Sequence, residues 1–341
     1  LLLSARRRDR RAPLPGLLLK ALSAHIRPGL IAPPASPILA TLEMTRKCNL
    51  SCSDCATHDS GSSPSRAGEL DEVIREIAAA GVLGVGFTGG EPLLLPHLEE
   101  VAQKAAGAGL ITHLNTNATL IDAARARQIM ESGFFSINIS LDGMRASTHD
   151  ALREEGSHQA ALAGASHLVR VRERIGAGTR LRFVMRLAET NAIEALSLID
   201  LAREVGVDGC SYLPLMNQNR PDLRRPSPGA AAAALELAKR RNGMPIDNSL
   251  RYLRGMARFF QGAAMPGRCS ALHTSLLVSH DLKLYPCVPT SASGRGGVPF
   301  ESGALMRTFR SGALRRSIDA SICAGCWWNC HRELDLALGV I

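Results

Sequence analysis

Six short apolar runs between residues 38 and 215 are separated by longer stretches of helical periodicity, and that alternation narrows the fold more than any other feature. The runs are "ILATLEMT", "VLGVGFTGG", "LITHLNTNA", "FFSINISLDG", "RLRFVMRL" and "GCSYLPL". Between them lie "ELDEVIREIAAAG", "HLEEVAQKAAGAG", "IDAARARQIMESG", a helix within 157–174 and "IEALSLIDLAREVG". Helical stretches that end at glycine read as helices with ordinary C-termini. Strands alternating with helices predict an α/β protein with a parallel sheet. Six units are too few for a closed eight-stranded barrel and suit an open, partial (β/α)6 barrel. In such folds the working loops follow the C-terminal ends of the strands.

The alternation also sets the domain expectations. Residues 1–36 form a basic, Pro-rich N-terminal extension that ends in the stiff linker "APPASP". Residues 37–262 hold the barrel, closing with an Ala-rich helix over about 228–241. Residues 263–341 form a small Cys-containing domain. At 341 residues and 45% apolar content the chain can build its core by burial alone, so cysteines are not needed as staples.

The cysteines are therefore read for chemistry. "CNLSCSDC" places Cys48, Cys52 and Cys55 within eight positions, with no further cysteine before Cys210. A closed structural zinc site wants four ligands, so this loop is one protein ligand short. Three thiolates at this spacing can hold a [4Fe–4S] cluster and leave one iron without a protein ligand; zinc is the alternative. "TGGEP" closes the second strand, and its glycines let a ligand approach the backbone closely. Peptide carbonyls there, with Glu91, would hold a cation such as an α-ammonium.

The three-cysteine loop joined to GGEP one strand later resembles the radical S-adenosylmethionine (SAM) superfamily, over about residues 38–216. The resemblance implies that Cys48, Cys52 and Cys55 bind a [4Fe–4S] cluster whose open iron chelates SAM, and that Gly89, Gly90 and Glu91 hold the methionine amino end. It makes Asn117 of "NTNAT" and Ser140 of "SLDG" pocket residues. Arg153 is a candidate for the SAM carboxylate, or else an arginine on a helix surface. "YLPL" (212–215) is similar to the last-strand segment whose backbone faces adenine. Asp54 stands where the family carries a bulky, often aromatic residue, and Ala118 where glycine is usual.

The tail carries a second set. Cys269 and Cys287 flank a hairpin-like stretch, "TSLLVSHDLKLYPC", and "CAGCWWNC" adds Cys323, Cys326 and Cys330. This arrangement resembles the SPASM and twitch extensions of radical SAM enzymes, and implies one auxiliary [4Fe–4S] cluster of the twitch type. Cys269, Cys287, Cys323 and Cys326 are the nearest parallel, with Cys330 a spare or alternative ligand. A zinc ribbon is the other reading of the CxxC half. Leu282 replaces the family's hairpin glycine. Trp327 and Trp328 are read as packing or as a substrate wall, and Cys210 as a buried apolar thiol.

Together these motifs lead us to expect a radical SAM oxidoreductase or maturase. SAM cleavage would give a 5′-deoxyadenosyl radical that abstracts hydrogen from a substrate C–H bond, with the auxiliary cluster assisting oxidation or anchoring substrate. The resemblance implies a reductant such as flavodoxin or ferredoxin and a peptide or small-metabolite substrate. The short segment before the barrel leads us to expect no fused peptide-recognition domain. The rival is a non-catalytic iron–sulfur or zinc-binding protein on a degenerate barrel. An odd cysteine count in metal-type clusters points to a reducing, cytoplasmic setting. The net charge of +9 weakly favours an anionic substrate, while 4% aromatic content speaks against nucleic acid. No run of about 18 apolar residues exists to make a transmembrane helix.

Overall fold

The computed structural model describes residues 36–52, 54, 55, 59, 61–215, 226–264, 269, 271–293, 296–316, 326, 327, 332, 333 and 336. The N-terminal extension up to residue 35, Cys323, Trp328 and Cys330 lie outside the described residues.

The six anticipated strands form at β1 (Leu39–Glu43), β2 (Gly84–Thr88), β3 (Ile111–Thr116), β4 (Ser136–Ser140), β5 (Arg180–Leu187) and β6 (Gly209–Pro214). They pair in parallel and in sequence order, each beside its predecessor. The connecting helices are α1 (Ala67–Ala79), α2 (Leu98–Gly107), α3 (Ala123–Glu131), α4 (Ala146–Leu152), α5 (Ser157–Ile175) and α6 (Ser197–Val205). All of these helices except α4, which buries only His149, turn an apolar stripe onto one face of the sheet. Leu70, Val73, Ile74 and Ile77 of α1 meet the strand positions Leu42, Val85, Phe87 and Leu114 in one buried core. The alternate strand positions point to the other, inner face.

Two helices then pack on each other, α7 (Pro228–Arg240) and α8 (Leu250–Phe260). The sheet continues past them. β7 (Ser275–Val278) pairs in parallel with β1, on the edge away from β2. β8 (Lys283–Tyr285) and β9 (Val298–Pro299) follow antiparallel. Leu276, Val278, Leu284, Leu305, Phe309 and Trp327 belong to the same buried cluster as the barrel strands. The hairpin expected as the start of a separate domain is thus an extension of the barrel sheet and shares its core. Its turn places Leu282 at φ +55°, a left-handed conformation that glycine adopts without steric cost.

Candidate functional site

β1 ends at Glu43, and the chain turns through Thr45–Lys47 into the cysteine loop. Glu43 is 2% exposed and accepts from Arg46 Nε (2.7 Å), Ser291 Oγ (2.8 Å) and His280 Nδ1 (3.2 Å), so the tail hairpin helps fix the root of the loop. On the other side stands GGEP. Gly90 N donates to Thr45 O (2.6 Å) and Glu91 N to Lys47 O (2.8 Å). A Cβ on Gly90 would lie 2.0 Å from Lys47 O, and one on Gly89 2.2 Å from Thr45 O. The glycine pair lets the β2 loop close on the cysteine loop, backbone to backbone. A Cβ there would meet this chain's own carbonyls.

Glu91 is equally committed. Its carboxylate, 1% exposed, accepts from Thr116 Oγ1 (2.7 Å), Asn117 N (2.8 Å) and Leu93 N (3.1 Å). Burial pushes its pKa up against those three bonds. Asn117, at the end of β3, donates through Nδ2 to Asn49 Oδ1 (3.0 Å) and towards Cys48 Sγ (3.8 Å). Asn49 in turn donates to Thr119 Oγ1 (2.8 Å), and Ser51 N donates to Glu154 (2.7 Å). Ala118, next to Asn117, takes φ +60°, the left-handed conformation to which glycine is better suited.

An ion-pair chain that no local motif announces braces the far side of the loop. Arg186, at the end of β5, donates to Asp54 Oδ2 (2.7 Å) and Asp142 Oδ2 (2.7 Å). Arg153 Nε donates to the same Asp142 oxygen (2.7 Å). Arg153 is 10% exposed, so it is no surface arginine. Burial opposes ionisation of the fully enclosed Asp142, yet the Arg153 and Arg186 guanidiniums hold it well below the usual carboxylate range. Asp54 is 8% exposed, and its second oxygen has no hydrogen-bond partner among the described residues. Ser140 closes β4, half-buried.

The three thiols suit a cluster ligand set by their chemistry. Burial pushes Cys48 and Cys52 up as free thiols, with neighbouring cysteine thiols adding to the shift. Cys48 and Cys52 are half-buried and Cys55 is exposed; metal binding holds such sulfurs as thiolates and releases their protons. Leu50 N donates to Cys48 Sγ at 3.4 Å, and Arg153 and Arg186 favour the thiolate of Cys52. Among the described residues no three such side chains converge on a single ion. A cluster does not ask for that convergence, because each thiolate binds its own iron.

In the tail, burial pushes Cys287 up to about 12, and Cys326 and Cys269 add to the shift, so these three thiols share one neighbourhood. Trp327 stacks on Tyr252 of α8 at 5.7 Å between ring centroids. It lies over Gly255, where a Cβ would fall 2.0 Å from the indole. Glu333 Oε1 accepts from Ser249 N (2.8 Å) at the start of α8. Trp327 is therefore packed into the barrel's core. Cys210 is fully buried, as expected of an apolar thiol.

Comparison with known proteins agrees with this geometry. Residues 42–225 match the family model described as the radical SAM superfamily. The AdoMet-dependent heme synthase of Methanosarcina barkeri is 33% identical over 57% of this chain and 55% of its own length. The PqqA peptide cyclase of Rhodopseudomonas palustris is 33% identical over 33% of this chain and 31% of its own length. The chain thus spans about half the length, or less, of these curated relatives. The crystal structure of Streptococcus suis SuiB bound to precursor peptide SuiA superposes over 88% of this chain and 69% of that one. The TM-score is 0.62 at 14% identity, a likeness of fold.

Proposed function

The chain belongs to the radical SAM superfamily, and from that premise we propose that it is an enzyme that opens substrate C–H bonds after reductive cleavage of SAM. Cys48, Cys52 and Cys55 would hold the [4Fe–4S] cluster. When bound there, the cluster and SAM supply a 5′-deoxyadenosyl radical that takes a hydrogen atom from the substrate. The chain's own residues position and exclude. GGEP and Asn117 fix the cysteine loop from one side, and Arg186 with Asp54 fixes it from the other. Asn117 and Ser140 stand at or just beyond the C-terminal ends of β3 and β4, where an open α/β sheet takes its ligands, and Arg153, at the end of α4, reaches back to Asp142 just past β4. A flavodoxin- or ferredoxin-like reductant would supply the electron.

One observation carries this reading: three thiols sit on a loop that GGEP, Asn117 and Arg186 hold by backbone and side-chain hydrogen bonds. In the tail, Cys269, Cys287 and Cys326, with Cys323 or Cys330, would hold one auxiliary [4Fe–4S] cluster. The shared neighbourhood of the first three supports that assignment. A peptide substrate finds support in the relative named a PqqA peptide cyclase, and a tetrapyrrole in the one named a heme synthase. The test is anaerobic reconstitution followed by reduction with SAM present. The wild type should release 5′-deoxyadenosine. A Cys48→Ala/Cys52→Ala/Cys55→Ala variant should release none while keeping about four irons in the tail. Equal product from both would defeat the proposal.

A further inference from the structure

Between two of the candidate cluster ligands, Cys52 and Cys55, the chain carries a carboxylate, Asp54, where the family's pattern has a bulky, often aromatic side chain. Its partners carry more charge than a brace needs. Arg186 donates to Asp54 Oδ2 through Nη1 (2.7 Å), and to Asp142 Oδ2 through Nη2 (2.7 Å) and Nε (3.0 Å). Arg153 Nε donates to the same Asp142 oxygen (2.7 Å). Asp142 is fully buried, Asp54 and Arg153 are nearly so, and Arg186 is 22% exposed. Without Asp54 this group holds two guanidiniums against one carboxylate, an excess of one positive charge. Asp54 brings the sum to zero.

These charges are felt at a ligand. Burial pushes Cys52 up as a free thiol; Arg153 and Arg186 oppose that shift, and Asp54 adds to it. Lys47 and Glu154, which also flank the loop, are exposed, so water and salt screen them. The buried Glu91 stands on the other side and acts on Cys48. The Asp54–Arg186 bridge is therefore the local charge pair that solvent screens least on the Cys52 side.

The potential of an iron–sulfur cluster follows the net charge, hydrogen bonding and solvent exposure around it. A nearby cation favours an added electron and a nearby anion disfavours it. Reductive cleavage of a C–S bond calls for a strong reductant, so an uncancelled guanidinium beside Cys52 would work against the reaction. We propose that Asp54 keeps the reduction potential of the first cluster low by cancelling the excess cation of the Arg153–Asp142–Arg186 group. Arg186 can then brace the cysteine loop without making the cluster a weaker reductant. Asp54 is a positioning residue for charge, acting through the field at the ligands.

This inference rests on the radical SAM reading, and its test separates the two. Reconstituted protein without SAM is titrated at about pH 8 with dithionite as electron donor, and its clusters are followed by electron paramagnetic resonance. The first-site signal is the one missing from the Cys48→Ala/Cys52→Ala/Cys55→Ala variant; a signal that remains there belongs to the tail and is the internal reference. Asp54→Asn keeps the side chain's size and an oxygen for Arg186 but removes the charge. At a fixed potential its ratio of reduced to oxidised first cluster should rise about tenfold, an upward shift of about 59 mV for one electron. In Arg186→Gln the ratio should fall about tenfold. A merely structural bridge would admit water in both variants and move both the same way. Shifts of the same sign, a change below about twofold in Asp54→Asn, an equal shift of the tail signal, or loss of first-site iron from both variants overturns the proposal. Where only one variant loads, the sign and size of its own shift decide. A first-site signal in wild type with unshifted variants removes the tuning role and leaves the radical SAM reading standing. Absence of a first-site signal from wild type removes the reading beneath it.

Discussion

The cysteine loop after β1 and the cysteines of the tail are held in opposite ways. The loop is gripped by polar contacts at short range: Gly90 N and Glu91 N on its carbonyls, Asn117 on Asn49, Glu154 on Ser51, and Arg186 on Asp54. The tail is anchored by apolar burial, with Trp327 stacked on Tyr252 over Gly255 and the hairpin added to the edge of β1. A loop fixed by directional bonds is pre-organised for one ligand geometry, whereas apolar packing fixes position with less demand on angle. The loop should therefore fail sharply when one close contact is altered, and the tail in proportion to the area exposed.

The largest effect that would break this comparison is at Gly90. The motif alone suggests that Gly90→Val blocks SAM and leaves the iron in place. The geometry predicts more, since the new Cβ meets Lys47 O and displaces the loop itself. Iron at the first site and SAM cleavage should be lost together, with about four irons retained elsewhere. A full iron content with weakened SAM binding would return the glycines to a ligand-contacting role.

Next is Trp327→Ala, which removes a large side chain that is 3% exposed. It should lower stability by about 3–5 kcal/mol by denaturant titration. SAM cleavage by the protein that stays folded should persist. Loss of cleavage in folded protein would show that the two regions are less independent than their anchoring implies.

Asp54→Asn is smaller. Arg186 keeps Asp142, so the cost should be about 1–3 kcal/mol. Asp142 itself makes the pH dependence. Its folded pKa is below its unfolded value, so its contribution is complete above the unfolded pKa of about 4 and is lost as pH falls. A denaturation midpoint that does not fall on acidification from pH 5 to pH 3 would contradict this.

The smallest effect is a gain. Ala118→Gly relieves a left-handed φ of +60° and should raise stability by up to about 1 kcal/mol. A loss would mean that the Ala118 methyl contributes more by packing than its backbone costs.

Much of the architecture was legible because each strand carries its own apolar run. β5 begins and ends where "RLRFVMRL" does. α8 escaped notice because arginines interrupt "LRYLRGMARFF", although Tyr252, Leu253, Met256, Ala257 and Phe260 all face the core. The three-cysteine loop was legible because its ligands are close in sequence. Asp54 was not, since its partner Arg186 is 132 residues away. Nor was the role of the glycine pair, because what a Cβ would meet there belongs to another strand's loop. At Ala118 and Leu282 the residue type departs from glycine while the backbone keeps the glycine-like φ, so only the structure exposes the strain.

We propose two separately held clusters, one at Cys48, Cys52 and Cys55 that would be open to SAM and one in the tail that would be closed. Electron paramagnetic resonance on reduced wild type and Cys287→Ala, with and without SAM, tests it most directly. The wild type should show two signals, of which SAM alters one, and Cys287→Ala should keep only the SAM-responsive signal. The same two signals in both proteins, or zinc in the tail, would contradict the account.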